Sequence, residues 1–471
     1  MGLTDSIERL GGESRFVYVV AAMAALNGLL FGFDTGIISG AILFINDTFS
    51  LSPLVEGIVV SGAMAGAAGG AMLGGRLADR IGRRKLILLS AVVFFIGSFL
   101  MSVAPNVPVL VAGRLVDGVA IGFASVVGPL YISEIAPPKI RGGLTSLHQL
   151  MVTIGILSSY FVNYAFADGG AWRWMLGTGM VPAVVLGLGV LKMPESPRWL
   201  FSHGRPDDAR RVLERTREGS VDEELAEIEE TVERESGTSL RDLLAPWLRP
   251  ALVVGVGLAV LQQITGINAV MYYAPTILES TGFGSTASIL ATVGIGAVNV
   301  GITVVAISLV DRVGRRPLLL VGTGGMTVTL AALGVIFYLP GLSGVLGIAA
   351  TVCLMLYISF FAVGLGPVFW LLISEIYPLS VRGSAEGLAT VANWGANLAV
   401  SLSFPILTAS VGPSATFWLF GVFSAVALVF TYSLVPETKG RTLEAIEADL
   451  RENVAGSTGS APHQSPDVGD D

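Results

Sequence analysis

The sequence predicts an all-α integral membrane protein with twelve spanning helices, arranged as two related halves. Three observations carry this reading. The chain has 471 residues, of which 52% are hydrophobic and 14% charged, whereas a soluble domain carries about 25% charged residues. Its mean hydropathy is +0.72. Charges are also missing from long blocks: none occurs from Leu86 to Gly113, from Pro317 to Ser374 or from Gly387 to Pro436, and Glu279 is the only one between Pro250 and Val310. Finally, the charged stretches between the blocks repeat in order. Asp79-Arg80-Ile81-Gly82-Arg83-Arg84 returns as Asp311-Arg312-Val313-Gly314-Arg315-Arg316, Ser133-Glu134-Ile135 with Arg141-Gly142 returns as Ser374-Glu375-Ile376 with Arg382-Gly383, and Pro194-Glu195-Ser196 returns as Pro436-Glu437-Thr438. Three matches in one order point to duplication of a membrane unit, and tandem membrane repeats facing a central axis are a transporter's architecture.

A spanning helix needs roughly 20 mostly apolar residues. In the first half, spans begin near Val17, Leu54, Leu86, Val107, Gly143 and Trp174. In the second they begin near Ala251, Thr286, Pro317, Val345, Ser384 and Thr416. Each start follows a charged loop or a Pro- or Gly-bearing turn, and the 59 glycines suit close helix packing in a bilayer. The domain layout is an N-terminal segment 1–15, a first bundle 16–192, a linker 193–249, a second bundle 250–436 and a C-terminal segment 437–471. In the linker, Asp207 to Arg217 and Val221 to Arg234 read as short helices, with a third near Leu240 to Leu244. The Gly-, Ser-, Pro- and Asp-rich tail beyond Leu450 reads as disordered, with a solubilising acidic end.

Of the 28 Lys and Arg, all but Arg173 and Arg114 fall in the termini or the even-numbered connections. The excess of basic residues on one side predicts that both termini are cytoplasmic. The first apolar stretch is too long for the h-region of a cleavable signal and lacks a small-residue cleavage site. One cysteine, Cys353, allows no internal disulfide, and His148, His203 and His463 lie far apart. No metal cluster, no nucleophile–base arrangement and no cofactor motif is visible, so an enzyme is not expected. Nothing points to nucleic acid; the expected partners are the bilayer, a small polar cargo and protons, with the chain working as a monomer.

Polar groups inside the spans mark the site. The seventh span supplies Gln262, Gln263 and Asn268, with Gly266 between them as a helix breaker of the kind found at transporter sites. Amides suit hydroxyl-rich cargo because each offers both donor and acceptor; the alternative is that they only tie helices together. Asp34 is an ionisable residue inside the first span, where charge is disfavoured and usually functional. At the inner ends, Asp79, Arg83, Arg84, Glu134, Arg141 and Glu195 have counterparts in Asp311, Arg315, Arg316, Glu375, Arg382 and Glu437. Such pairs can close one face and release it, and topology alone does not need carboxylates at matching positions.

These motifs spell out a family. Gly32-Phe33-Asp34-Thr35-Gly36, both Asp-Arg-x-Gly-Arg-Arg loops, Pro129-Leu130-Tyr131 before Ser133-Glu134, Pro194 to Trp199, Gln262 to Asn268 and Pro436-Glu437-Thr438-Lys439-Gly440 cover about residues 16–447. The chain resembles the sugar porter branch of the major facilitator superfamily, including bacterial xylose and galactose–proton symporters and glucose facilitators. That resemblance implies two pseudo-symmetric six-helix bundles in the cell membrane, a central monosaccharide site for a hexose or pentose, and alternating access. It adds Gln149, Asn299, Trp370, Asn393 and Trp394 to the sugar site, with Phe31 as a further aromatic candidate. It makes Tyr272 and Tyr273 an outer gate. It pairs Arg114 with Asp34, and an acid at that position is what the proton-coupled members carry. Asp117, three residues after Arg114, stands where related porters have a small residue. It either pairs structurally with Arg114 or takes part in proton binding. An uncoupled sugar facilitator is the alternative reading, and a sugar sensor a more remote one.

Overall fold

The computed structural model describes residues 15–137, 140–217, 220–235, 245–339, 345–378 and 381–440. The described residues form helices joined by short connections, with no strand among them. The first half contains α1 (Arg15–Phe49), α2 (Pro53–Ile81), α3 (Arg83–Ser102), α4 (Val107–Ile135) and α5 (Arg141–Ala167). Its sixth crossing is made by α6 (Trp172–Gly177) and α7 (Met180–Val190), which together run on as a 19-residue apolar span. Three short helices follow: α8 (Pro197–Ser202), α9 (Pro206–Thr216) and α10 (Asp222–Glu235). The second half contains α11 (Arg249–Ile264), α12 (Ile267–Glu279), α13 (Ser285–Val313), α14 (Arg315–Tyr338), α15 (Val345–Val363), α16 (Leu365–Ile376) and α17 (Arg382–Leu434).

Eleven of the helical runs are long and apolar enough to cross a membrane. The last is 53 residues long and holds the eleventh and twelfth expected spans in one run. It turns at Gly412, whose φ of 85° lies outside the helical region, and Pro413 follows. Two crossings therefore lie on either side of Gly412, and twelve spans result. The linker helices match the expected ones to within a residue or two. The third, near Leu240 to Leu244, and the tail beyond Leu450 lie outside the described residues.

Packing follows the small residues. Glycines recur every fourth position on α1, at 28, 32, 36 and 40, and so share one helix face. Each abuts α5: an added methyl would lie 2.4 Å from His148 O, 1.8 Å from Val152 O, 2.0 Å from Ser159 Oγ and 2.5 Å from Asn163 Cγ, respectively. Gly155 returns the contact from α5, where a methyl would lie 2.3 Å from Leu29 O. In a bilayer, where lipid tails are as apolar as leucine, this close backbone approach drives helix association. α4 meets α2 in the same way, through Gly66 and Gly70 facing Gly118 and Gly122.

Candidate functional site

Each charged loop is built around a glycine and a carboxylate. Gly82 (φ 98°) ends α2 and starts α3, and Gly314 (φ 108°) does the same between α13 and α14. Both conformations are ones that L side chains rarely adopt. Glu195 Oε1 accepts from the backbone N–H groups of Arg83 (2.8 Å), Arg84 (3.1 Å) and Ser196 (2.9 Å). Glu437 accepts from Arg315 (3.1 Å), Arg316 (3.1 Å) and Lys439 (2.9 Å). Each carboxylate thus fills the empty donors at a helix N-terminus. Partial burial works to raise the Glu437 carboxyl, but the backbone N–H groups of Lys439, Arg315, Arg316 and Thr438 outweigh it and hold it below the ordinary glutamate value of 4.5. The arginine side chains add planar clasps. Arg83 binds Glu134 through Nε (2.9 Å) and Nη2 (2.9 Å), and Arg315 binds Glu375 through Nε (3.1 Å) and Nη2 (2.7 Å). Asp79 pairs with Arg83 at 3.0 Å, Arg84 donates to Val190 O and Leu191 O, Arg316 donates to Tyr432 O, and Arg382 donates to Tyr377 O. All these contacts stay within one half. The side chains of Arg141 and Asp311 lie outside the described residues.

At the opposite end the two halves meet directly. A methyl at Gly57 of α2 would lie 2.5 Å from Leu402 O of α17, and one at Gly296 of α13 would lie 2.8 Å from the Tyr160 ring of α5. Thr286 Oγ1 donates to Asp168 Oδ1 at 3.1 Å, and Tyr160 OH donates to Met271 O at 3.2 Å. The two tyrosines expected at a gate are buried in this seam. Tyr273 OH donates to Ser401 O (3.2 Å) and its ring packs on Phe404 at 4.9 Å. Tyr272 OH accepts from Asn397 Nδ2 (3.4 Å).

Between the two ends lies a belt of amides created by two helix breaks. Gly266 adopts a left-handed φ of 89° between α11 and α12, against the ring of Phe420. Gly364 interrupts α15 and α16. Backbone groups freed inside a membrane must find partners, and they do: Tyr357 OH donates to Thr265 O (2.9 Å) and Gln262 Nε2 to Leu365 O (2.8 Å). Gln262 Oε1 accepts from Asn393 Nδ2 (2.7 Å) and Gln263 Nε2 (3.2 Å). Gln263 also donates to Asn393 Oδ1 (3.1 Å) and accepts from Asn268 Nδ2 (2.7 Å). Beside this belt Trp394 faces Phe31 of the first half, with ring centroids 5.4 Å apart. Gln149 is half-buried on α5 and Asn299 is buried on α13, and neither forms a side-chain hydrogen bond with the belt. Trp370 is 39% exposed and packs edge-on against Phe369. Asn397 and Tyr357 brace the site without having been expected; each sits in an apolar run that offers no sequence signal beyond a single polar residue.

The first half contributes charge instead. Asp34 (1% exposed) on α1 and Arg114 (0%) on α4 form an ion pair through Asp34 Oδ1 and Arg114 Nη1. Arg114 Nη2 also donates to Val60 O at 3.3 Å. Tyr272 of α12 lies near both groups and beside Thr35. Taken together, the chain holds a buried ion pair on continuous helices and a neutral amide belt centred on the broken span at Gly266, with Phe31 of α1 and Trp394 of α17 as aromatic walls.

Comparison with known proteins places this arrangement. A family model described as "Sugar (and other) transporter" matches residues 20–450. A glucose transporter of Staphylococcus epidermidis is 44% identical over 443 residues, covering 94% of this chain and 99% of the relative. A galactose–proton symporter of Escherichia coli is 43% identical over 452 residues, covering 95% and 97%. Among solved structures, the xylose transporter of Escherichia coli in a partially occluded inward-open conformation superposes with a TM-score of 0.80 at 33% identity, covering 91% of this chain and 100% of that one.

Proposed function

The chain belongs to the sugar transporter family of the major facilitator superfamily, and on that premise we propose that it is a proton-coupled symporter of a monosaccharide, a hexose or pentose, working by alternating access in the cell membrane. The observation that carries this is the Asp34–Arg114 ion pair, buried in a membrane bundle near Tyr272, on the helix that brings Asn268 to a cage of mutually bonded amides. An adjacent cation favours the carboxylate, and loss of that cation in a dry site favours the acid. Parting Arg114 from Asp34 strengthens the hold of Asp34 on a proton, and reuniting them weakens it. Relatives named for symport of galactose, arabinose and xylose with protons support the same reading.

Gln262, Gln263, Asn268 and Asn393 bond one another; sugar hydroxyls replace those bonds on binding, with Phe31 and Trp394 covering the apolar faces of the ring. Gln149, Asn299 and Trp370 complete the pocket when the bundles close around the cargo. Residues 16–192 and 250–436 move as the two bundles, with 1–15, 193–249 and 437–471 on the cytoplasmic side and the protein acting as a monomer. In this arrangement the seam with Tyr272 and Tyr273 closes the outer face, and the arginine clasps hold only their own halves. When the outer face opens, the two charge networks meet and close the inner one.

The test is uptake of labelled sugar into energised vesicles. Accumulation that collapses with a protonophore supports symport. Saturable uptake that never exceeds equilibrium, with or without a pH gradient, identifies an uncoupled facilitator.

A further inference from the structure

Asp117 is left without a task by this scheme, yet it is 1% exposed in the centre of the first half. It lies on α4, one turn beyond Arg114, and its carboxyl comes within hydrogen-bonding reach of Asp34. α3 presses on it from behind: a methyl added at Gly97 would lie 2.7 Å from Asp117 N and 2.8 Å from its Cβ. Among the described residues, the other elements around the Asp34–Arg114–Asp117 group bring no second cation. α2 offers Val60 O and the backbone of Gly62, while α12 offers the phenol of Tyr272. One guanidinium therefore faces two carboxyl groups.

The hydrogen-bond count is equally unbalanced. Arg114 satisfies Asp34 Oδ1, but Asp34 Oδ2 and both oxygens of Asp117 are buried with no N–H or O–H donor from the protein. Two ionised carboxylates here would leave one excess negative charge and three acceptors without donors, in a medium where either is costly. A single proton removes the excess charge and ties two of the three oxygens together. A protonated carboxyl becomes a donor, its O–H reaches the other carboxyl, and the remaining negative charge balances Arg114. Carboxylates forced together behave in this way, titrating as a pair and not as two residues.

We propose that Asp34 and Asp117 form an acid–carboxylate pair that holds one proton between them, with Arg114 neutralising the charge that remains. That this is the proton carried with sugar rests on the symport reading; the pair itself rests on the geometry.

Infrared difference spectroscopy of the full-length protein in liposomes at neutral pH tests it. The wild type should show a protonated-carboxyl stretch that shifts in D2O and is lost in both Asp34→Asn and Asp117→Asn, because either carboxyl left alone beside Arg114 ionises. Asp117→Glu, which keeps the acid and guards against a folding defect of the amide variant, should retain the band at a displaced position. The pair is overturned if the wild type lacks such a band, or if the band that Asp34→Asn removes persists in Asp117→Asn. Sugar-driven proton uptake, measured in the same liposomes, separates the two readings. A wild type with the shared band and no uptake keeps the pair and overturns symport. Uptake with a band indifferent to Asp117 keeps symport and overturns the pair.

Discussion

At the charged end the two halves superimpose in chemistry: Arg83 clasps Glu134 as Arg315 clasps Glu375, and Glu195 caps α3 as Glu437 caps α14. At the centre they part. The first half runs α1 and α4 unbroken through the middle and places charge on them, whereas the corresponding spans of the second half break at Gly266 and Gly364; the first of these carries neutral amides and the second offers the backbone carbonyl of Leu365 to Gln262. After duplication, then, the loops kept one design and the centres took on different tasks. An ion pair needs fixed geometry in a dry place. A sugar pocket needs helices that can change their hydrogen bonding, and a broken helix has backbone groups to offer.

The largest effect expected from breaking this division of labour is at Asp34. Asp34→Asn should abolish uphill accumulation, which one proton at 100 mV can drive to about 50-fold, while sugar–sugar exchange continues. Counterflow and gradient-driven uptake in the same vesicles decide this, and loss of both would place Asp34 in the sugar pocket. Next comes the amide belt. Gln263→Ala leaves Asn393 and Asn268 short of buried partners, a cost of about 1–3 kcal/mol. Sugar affinity should fall by about tenfold to a hundredfold, read from a binding titration, without loss of proton binding in the absence of sugar. The matched loops offer a smaller effect that should be alike in both halves. Gly82→Ala and Gly314→Ala each force a side chain into a positive φ against a carboxylate, costing about 1–3 kcal/mol of strain. The penalty should be greater at Gly82, where the added carbon would lie 2.3 Å from Glu195 Oε2, than at Gly314, where the corresponding distance is 2.7 Å. Thermal unfolding midpoints in detergent rank the two.

The smallest effect is one of pH. A carboxyl held below 4.5 by backbone donors lends stability that is present above that value and is lost as pH falls through the lower, folded one. Glu437→Gln should lower the unfolding midpoint at neutral pH, and the gap from wild type should close in acid. A gap that widens in acid would mean that the cap works as a neutral acid.

The spans were legible because charge-free blocks have no other use at that length, and the helix starts near Leu54, Val107, Thr286 and Val345 lie within a residue of those observed. Gly266 was legible as a break because a glycine set between amides in an apolar run neither fills space nor favours a helix. The partners around it were not: Tyr357 reaches Thr265 O at the break and Asn397 reaches Tyr272 OH beyond it, each from a distant span, and one polar residue in an apolar helix does not announce its neighbour. The roles of Glu195 and Glu437 were also hidden. Both were expected to join a network of side-chain charges, yet each binds mainly backbone N–H groups, which no pattern of residue types displays. The merging of the last two spans reflects Gly412, where the helix turns without the polar loop that marks most other connections.

The glycine ladder between α1 and α5 has a mechanical consequence. Contacts this close leave no gap to slide through, so the helix bearing Asp34 and the helix bearing Gln149 form a single plate. On the proposed reading, a displacement at the ion pair is carried to α5 through these backbone contacts, without a relay of intervening side chains. The plate works as a lever arm whose stiffness is set by four missing methyl groups, and adding back any one of them should loosen the linkage between ion and sugar before it disturbs either site.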